Sequence, residues 1–511
     1  MARKWLSWIL VLMLTLMLVP ALTYADDAEE LPYAKIDWYI GNNPMPGIPE
    51  VNEALNKYLM EKINCEVNLI IMDSAEWDSK IGTMIASGQD MGILGFGVQS
   101  KCDYAIESAR GSFLAIDDLL ETYGQGTKAL FDDSIWDAMR INGSVYGIPS
   151  LKDNGYFISL TYNGTMAEEL GIDVAGYPDF SSAMELEDLY RDAKAKRDAA
   201  YPEWADHPIA WQTDRSIPYN FALETFFNNN YFAACNLEDV MDIEGYDPNA
   251  VFNFYETPEF LEFCLQKQRL VEEGIYAYDY TTIQDMRFDG SIFGYISWGF
   301  TYTPEHVYGE KFVTKERMFS NLWTETNNFL SAGTCISSNC ANPEQAMRVL
   351  ELVNTDPFVA TMMRFGVEGT RWRYDDEGKM TFEGTSNEDP ASRSFYYWYN
   401  APVGNLTIVN APEALTGPDG IMLTNMIAYN KACLLPAHMG FVVDPAPIAN
   451  EVAACSAIVM EFQPELQEGK LVSQDEVTEA VAEFVEKLRA NGSDKIIAEV
   501  QRQIDEWLAA R

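Results

Sequence analysis

Two periodicities alternate over the first ordered stretch of the chain. Ile36, Trp38 and Ile40 alternate with polar neighbours, which predicts a strand ending at Gly41-Asn42-Asn43. After Pro49 the apolar residues Val51, Leu55, Tyr58, Leu59 and Ile63 fall at helical spacing, and Val67, Leu69 and Ile71 return to period two. Asp73 or Ser74 can cap a second helix, with Trp77, Ile81, Met84 and Ile85 on its inner face and Gly88 as its stop. Ile93 to Phe96 then forms a short apolar strand. Strand, helix, strand, helix and strand with short links predict a parallel, doubly wound α/β sheet. Such sheets take ligands at the carboxyl ends of their strands, here Asn42-Asn43 and Phe96-Gly97.

A second α/β region starts after Gly147-Ile148-Pro149, with a strand from Tyr156 to Tyr162. A helix is expected from Thr257 to Glu273 and a strand from Ile292 to Trp298. Asp375-Asp376-Glu377-Gly378, between Trp372-Arg-Tyr374 and Met380-Thr-Phe382, reads as a hairpin turn. Two helices close the chain. Val477, Val481, Phe484, Val485 and Leu488 line the first, which ends at Asn491-Gly492. Ser493 is expected to cap the second, with Ile497, Val500, Ile504, Trp507 and Leu508 inward.

Composition alters this picture in three ways. Thirty-five Lys+Arg against 78 Asp+Glu give a net charge of −43, a surface that repels phosphate backbones and argues against nucleic-acid binding. Arg3 and Lys4, the apolar run from Trp5 to about Leu22, and Thr23-Tyr24-Ala25 before Asp26 form a secretory signal, residues 1–25. The same run is long enough to serve as an anchor, but the small-residue site followed by an acidic stretch favours cleavage after Ala25. The first cysteine is Cys65, so the signal carries no lipobox Cys. Export permits disulfides; of the eight cysteines, Cys335 and Cys340 are near enough to bridge if their turn is tight, and the others read as buried thiols.

Catalytic signals are weak. The chain has three histidines (His207, His306 and His438), no H-E-x-x-H, C-x-x-C, G-x-S-x-G or P-loop, and Gly92-Ile-Leu-Gly-Phe-Gly97 lacks dinucleotide-site spacing. No metal or cofactor is implied. Carboxylate pairs are too abundant in so acidic a chain to single out a glycosidase. Aromatic residues make up 13% of the chain, and most belong in a core. Trp298 stands out because it ends a strand and begins the loop Gly299-Phe300-Thr301-Tyr302. A flat ring at a strand end suits the C–H face of a pyranose, while amides and carboxylates meet its hydroxyls.

Several motifs in order carry a family resemblance. They are Asn142-Gly-Ser-Val-Tyr-Gly-Ile-Pro149, Tyr162-Asn163 with Glu169-Leu-Gly-Ile-Asp173, and Tyr255-Glu-Thr-Pro-Glu-Phe260. Asn342-Pro-Glu-Gln-Ala-Met-Arg-Val-Leu350, Gly366-Val-Glu-Gly369 and Lys487-Leu-Arg-Ala-Asn-Gly492 with Gln503-Ile-Asp-Glu-Trp507 follow. From about residue 33 onward the chain resembles the family-1 extracellular solute-binding proteins of ABC importers, the class of maltose-binding protein, in a LipO-like subgroup with a long C-terminal region. Relatives in Gram-positive bacteria are usually lipoproteins, and here the chain departs from them.

The resemblance implies a two-lobed periplasmic-binding-protein-like α/β fold of type II, with doubly wound sheets joined by a hinge. Lobe one would be residues 33–150 plus 329–369; lobe two would be 151–328 plus 370–511 with the C-terminal helices. It implies a monomer that carries a small solute, an oligosaccharide first, to the transmembrane subunits of an ABC permease, on the outer side of the cytoplasmic membrane or in the periplasm. A peptide or other polar solute is the alternative ligand, and a secreted carbohydrate-active enzyme or an adhesion protein the rival class. The implied ligand contacts are Trp38, Asn42, Asn43 and Phe96 in lobe one, Asp153 and Asn154 at the first crossing, and Tyr219 and Trp298 in lobe two. Glu368 and Trp372 flank the last crossing.

Overall fold

The computed structural model describes residues 31–41, 47–97, 102–152, 154–155, 157–179, 182–211, 223–227, 230–237, 247–277, 285–286, 289–298, 313–318, 320–386, 388, 404–410, 421–466 and 469–510. The signal segment lies outside them. Along the chain the elements that matter here are β1 (Ala34–Gly41), α1 (Ile48–Ile63), β2 (Cys65–Met72), α2 (Ser74–Ala86), β3 (Ile93–Gly97), α3 (Asp133–Ala138), β4 (Gly147–Pro149) and β5 (Ile158–Asn163). There follow β6 (Ala210–Trp211), β7 (Leu223–Phe227), β8 (Asn230–Asn236), α4 (Pro258–Glu272), β9 (Tyr276–Ala277), β10 (Gly294–Trp298), β11 (Thr314–Met318), α5 (Thr326–Leu330) and β12 (Ala332–Ile336). The last are α6 (Pro343–Thr355), α7 (Pro357–Phe365), α8 (Ile421–Ala432), α9 (Ala449–Leu466), α10 (Gln474–Ala490) and α11 (Ser493–Ala509).

Lobe one is built on a five-stranded sheet in the order β2-β1-β3-β12-β4. β1 runs parallel to β2 and to β3, as the alternation predicts. Asp73 caps α2 by accepting from the Glu76 N–H, a bond worth about 1 kcal/mol. Trp77 and Ile81 are buried beneath that helix, and Gly88 takes the positive φ its stop requires. The sheet is mixed rather than wholly parallel. β12, from far along the chain, inserts antiparallel between β3 and β4.

Lobe two has its own five-stranded sheet, β9-β6-β10-β5-β11, in which β5 pairs antiparallel with both neighbours. The hairpin β7–β8 stands apart from it. α4 is capped by Thr257, with Pro258 in its first turn. β7, β8, α4 and the last three helices bury one aromatic-rich core containing Phe232, Phe254, Tyr255, Phe260, Phe263 and Phe484.

The C-terminal region departs from the sequence reading. Three helices close the chain, since α9 precedes the two expected. Gly492, at φ 99°, caps α11, and Ser493 is its first residue, buried with its hydroxyl unpartnered among the described residues. The inner face of α11 is Ser493, Ile496, Val500 and Ile504, while Leu508 is exposed. Ile497 and Trp507 pack against the same core as expected, and Ile496 joins them. All eight cysteines are free thiols, Cys335 and Cys340 included. Cys335 points from β12 toward the Leu94 carbonyl, 3.5 Å away, inside the sheet.

Candidate functional site

The two lobes meet where the chain passes between them, and the passages are held by amides. At the first, Ser150 N–H donates to the Ala332 carbonyl at 2.9 Å, and Leu151 exchanges backbone bonds with Gly404 and Leu406. Asn154 sits at the centre, almost wholly buried. Its N–H donates to Asn430 Oδ1 at 2.9 Å, its carbonyl accepts from Asn328 Nδ2 at 3.0 Å and from the Thr324 hydroxyl, and its Oδ1 accepts from Lys152 N at 3.1 Å. Asn430 Nδ2 completes the ring by donating to the Lys152 carbonyl at 2.7 Å. The first and second passages and α8 are thus tied through one buried asparagine. A buried amide of this kind is costly to leave unpaired, so the ring sets one hinge geometry.

The carboxyl end of β3 touches the second passage directly. Gly97 has φ 116°, and a Cβ there would overlap the Ser331 backbone, so only glycine lets the two segments approach this closely. Phe96 is buried, its ring 4.7 Å from that of Tyr104, whose hydroxyl donates to the Met139 carbonyl at 2.6 Å. Burial holds the Tyr104 phenol well above its usual range. Trp38 is fully buried in the same core, and its indole N–H meets no acceptor among the described residues.

The loop Gly366–Trp372 docks against the start of α1. Arg371 pairs with Glu50 at 3.2 Å and lies beside Gly47, which places this loop against the N-terminal end of α1. Trp372 is buried, donates its indole N–H to the Gly366 carbonyl at 2.9 Å, and packs on Phe365, Phe382 and Leu406. Glu368 is exposed at the tip of the same loop. In lobe two, the backbone of Trp298 ends β10 opposite Ile158 of β5, just past the first passage. The Trp298 side chain and residues Asn42, Asn43, Asp153 and Tyr219 lie outside the described residues. The end of β3 and the first passage therefore both meet the second passage at the seam between the lobes, through Gly97 beside Ser331 and through Asn154 bonded to Asn328 and Thr324. Trp38, Phe96 and Trp372 have their rings inside the cores that flank this seam.

Sequence reasoning missed Thr324 and Asn430, which no local pattern marks. It also missed a buried pair, His438 with Glu224, whose Nδ1–Oε2 distance is 3.0 Å. Only the rarity of histidine in this chain could have drawn attention to it.

Known proteins agree with this architecture. Residues 437–509 match a family described as a domain of unknown function (DUF3502). A carbohydrate ABC transporter substrate-binding protein of Streptococcus pneumoniae serotype 4 is 23% identical over 496 residues, covering 95% of this chain and 92% of that protein. The crystal structure of an N-glycan transport solute-binding protein (NgtS) from Streptococcus pneumoniae superposes with a TM-score of 0.78 at 19% identity, covering 93% of this chain and 99% of that one. The same protein in complex with Man5GlcNAc gives 0.66 at 20% identity, covering 94% and 99%. A human-milk-oligosaccharide-binding solute-binding protein associated with an ABC transporter, from Bifidobacterium longum infantis, gives 0.61 at 14%, covering 93% and 99%. The fold is that of a two-lobed solute-binding protein, and the sequence kinship runs through nearly the whole chain.

Proposed function

We propose that this chain, as a relative of substrate-binding proteins rather than of enzymes, captures an oligosaccharide between its two lobes and presents it to an ABC permease. The observation that carries the reading is the full-length match, in sequence and in fold, to proteins named for carbohydrate transport. The seam fits it: two sheets turn strand ends toward a hinge, and closing that hinge around a solute makes a shape that a permease can read. No bond need be made or broken.

The contacts we assign are Asn42, Asn43 and Asp153 as partners for sugar hydroxyls, and Tyr219 and Trp298 as stacking faces, while Asn154, buried and fully bonded in the hinge, positions this crossing rather than touching the sugar. Trp38, Phe96 and Trp372 would support these from the cores, with Glu368 at the rim. The protein works as an exported monomer, its first 25 residues removed as a signal.

The test is thermal unfolding against a panel of oligosaccharides, monosaccharides and short peptides. A ligand at about 100 times its Kd adds roughly 2.7 kcal/mol to the native state. A rise in Tm with one sugar class, the sugar being recovered unchanged, is the expected result. A rise with peptides alone would replace the ligand, and a hydrolysed sugar would replace the class of protein.

A further inference from the structure

The segment after α8 passes from one lobe to the other within three residues. Met439 is buried in the lobe-one core, and Phe441 in the aromatic core of lobe two. The Phe441 ring lies 5.7 Å from that of Phe226 on β7 and 5.8 Å from that of Trp507 on α11. Thr326 of α5, at the second passage, holds the middle. Its hydroxyl accepts from the Gly440 N–H at 2.9 Å and donates to the Met439 sulfur at 3.9 Å. Both sides of this strap are pinned as well. Leu434 exchanges backbone bonds with Leu322 and Thr324 ahead of the second passage, and His438 Nδ1 lies 3.0 Å from Glu224 Oε2 on β7. Beyond Phe441, the Asp444 N–H donates to Gln503 Oε1 of α11 at 2.8 Å, and its carbonyl accepts from Gln503 Nε2 at 3.0 Å.

A single residue, Gly440, separates the two buried anchors. Two consecutive Cα–Cα steps reach about 7 Å at most, so the anchoring points of the two lobes must stay within that span at every degree of opening. A rigid-body swing of one lobe against the other therefore turns about an axis close to Gly440, and the backbone torsions of that residue absorb it. Glycine suits the position twice. Its φ of 93° is one that L side chains rarely adopt, and a Cβ would stand 3.3 Å from Ala138 of α3.

We infer that Met439-Gly440-Phe441 is a crossing outside the three expected from the sequence, with Gly440 as its pivot and the two flanking side chains as the stops that fix how far apart the ligand-free lobes stand. The three are positioning residues. None touches the solute; they set the opening from which closure starts, and so the share of binding free energy that closure takes up. This role rests on the hinge closure proposed above.

Pulsed electron resonance on the intact, ligand-free protein tests this. Spin labels carried by unnatural amino acids replace two exposed helical residues, Thr83 of α2 in lobe one and Glu479 of α10 in lobe two. Wild type should give one narrow distance between the labels. Met439→Ala and Phe441→Ala each free one anchor and should replace it with a broad distribution. Met439→Leu keeps the volume and should retain the narrow distance. Gly440→Ala keeps both anchors and should shift the mean distance without broadening it. Met347→Ala, buried in the same lobe-one core from α6, where it packs on Gly124, should behave as wild type. A Met439→Ala distribution no broader than wild type, a Met347→Ala distribution as broad as that of Met439→Ala, or a Gly440→Ala profile identical to wild type would each overturn the proposal. If Gly440→Ala does not fold, the comparison of Met439→Ala with Met347→Ala decides. No sugar enters the test. A panel that finds no ligand leaves the strap standing, and a slack strap leaves the ligand reading standing.

Discussion

An indole at the end of a strand contributes to binding through the area it hides from water and the C–H groups it faces. Trp298→Ala should therefore weaken oligosaccharide binding by roughly 1–3 kcal/mol while leaving the melting curve of the free protein in place. Titration calorimetry checks it, and unchanged affinity would remove Trp298 from the site. Single residues were also where the sequence was least legible. Alternation told that Trp38 and Ile36 share a face and that Phe96 ends a strand, and both aromatic rings proved to be packed in the lobe-one core. Asn154 was visible as a polar residue near a crossing. Its clamp was not, because Asn328 and Asn430 come from far along the chain and only the folded hinge brings them to it.

Elements were more legible, because period and capping are local. β1, α1, β2, α2 and β3 fall where spacing puts them, and Asp73 and Thr257 cap their helices as their chemistry suggests. The hairpin at Asp375–Gly378 pairs Arg373 with Thr381. α9 escaped because apolar residues run round it: Cys455, Ile458, Val459 and Phe462 are buried, yet Met460 is exposed and Pro464 lies within it. α11 was found with its face slightly misaligned. Ile504 lies in the overlap of the expected and observed faces and is fully buried. Ile504→Ala should cost about 2–5 kcal/mol in urea unfolding, by lost burial and the cavity left behind. A cost within about 0.5 kcal/mol, as on a surface, would mean that α11 does not pack on the aromatic core.

At the scale of the molecule, the parallel start of lobe one was legible and its completion was not, since no local signal assigns a strand to a sheet more than two hundred residues upstream. β12 lies between β3 and β4, with Ile336 opposite Ile93 and Ala332 opposite Gly97. A fragment ending before Ala332 should consequently show no cooperative melting by circular dichroism. A sharp transition in that fragment would mean that lobe one stands without its inserted strand. The position of β12 also bears on how such a chain leaves the cell. A polypeptide threaded through a narrow translocation channel must stay pliant until it is through, and long-range pairing is slow because distant segments must first meet. Here the keystone of the first-made lobe is written into the later half of the message, so the early half keeps an open seam in mid-sheet until the keystone emerges. The closing of lobe one is thereby timed by the order of the chain itself.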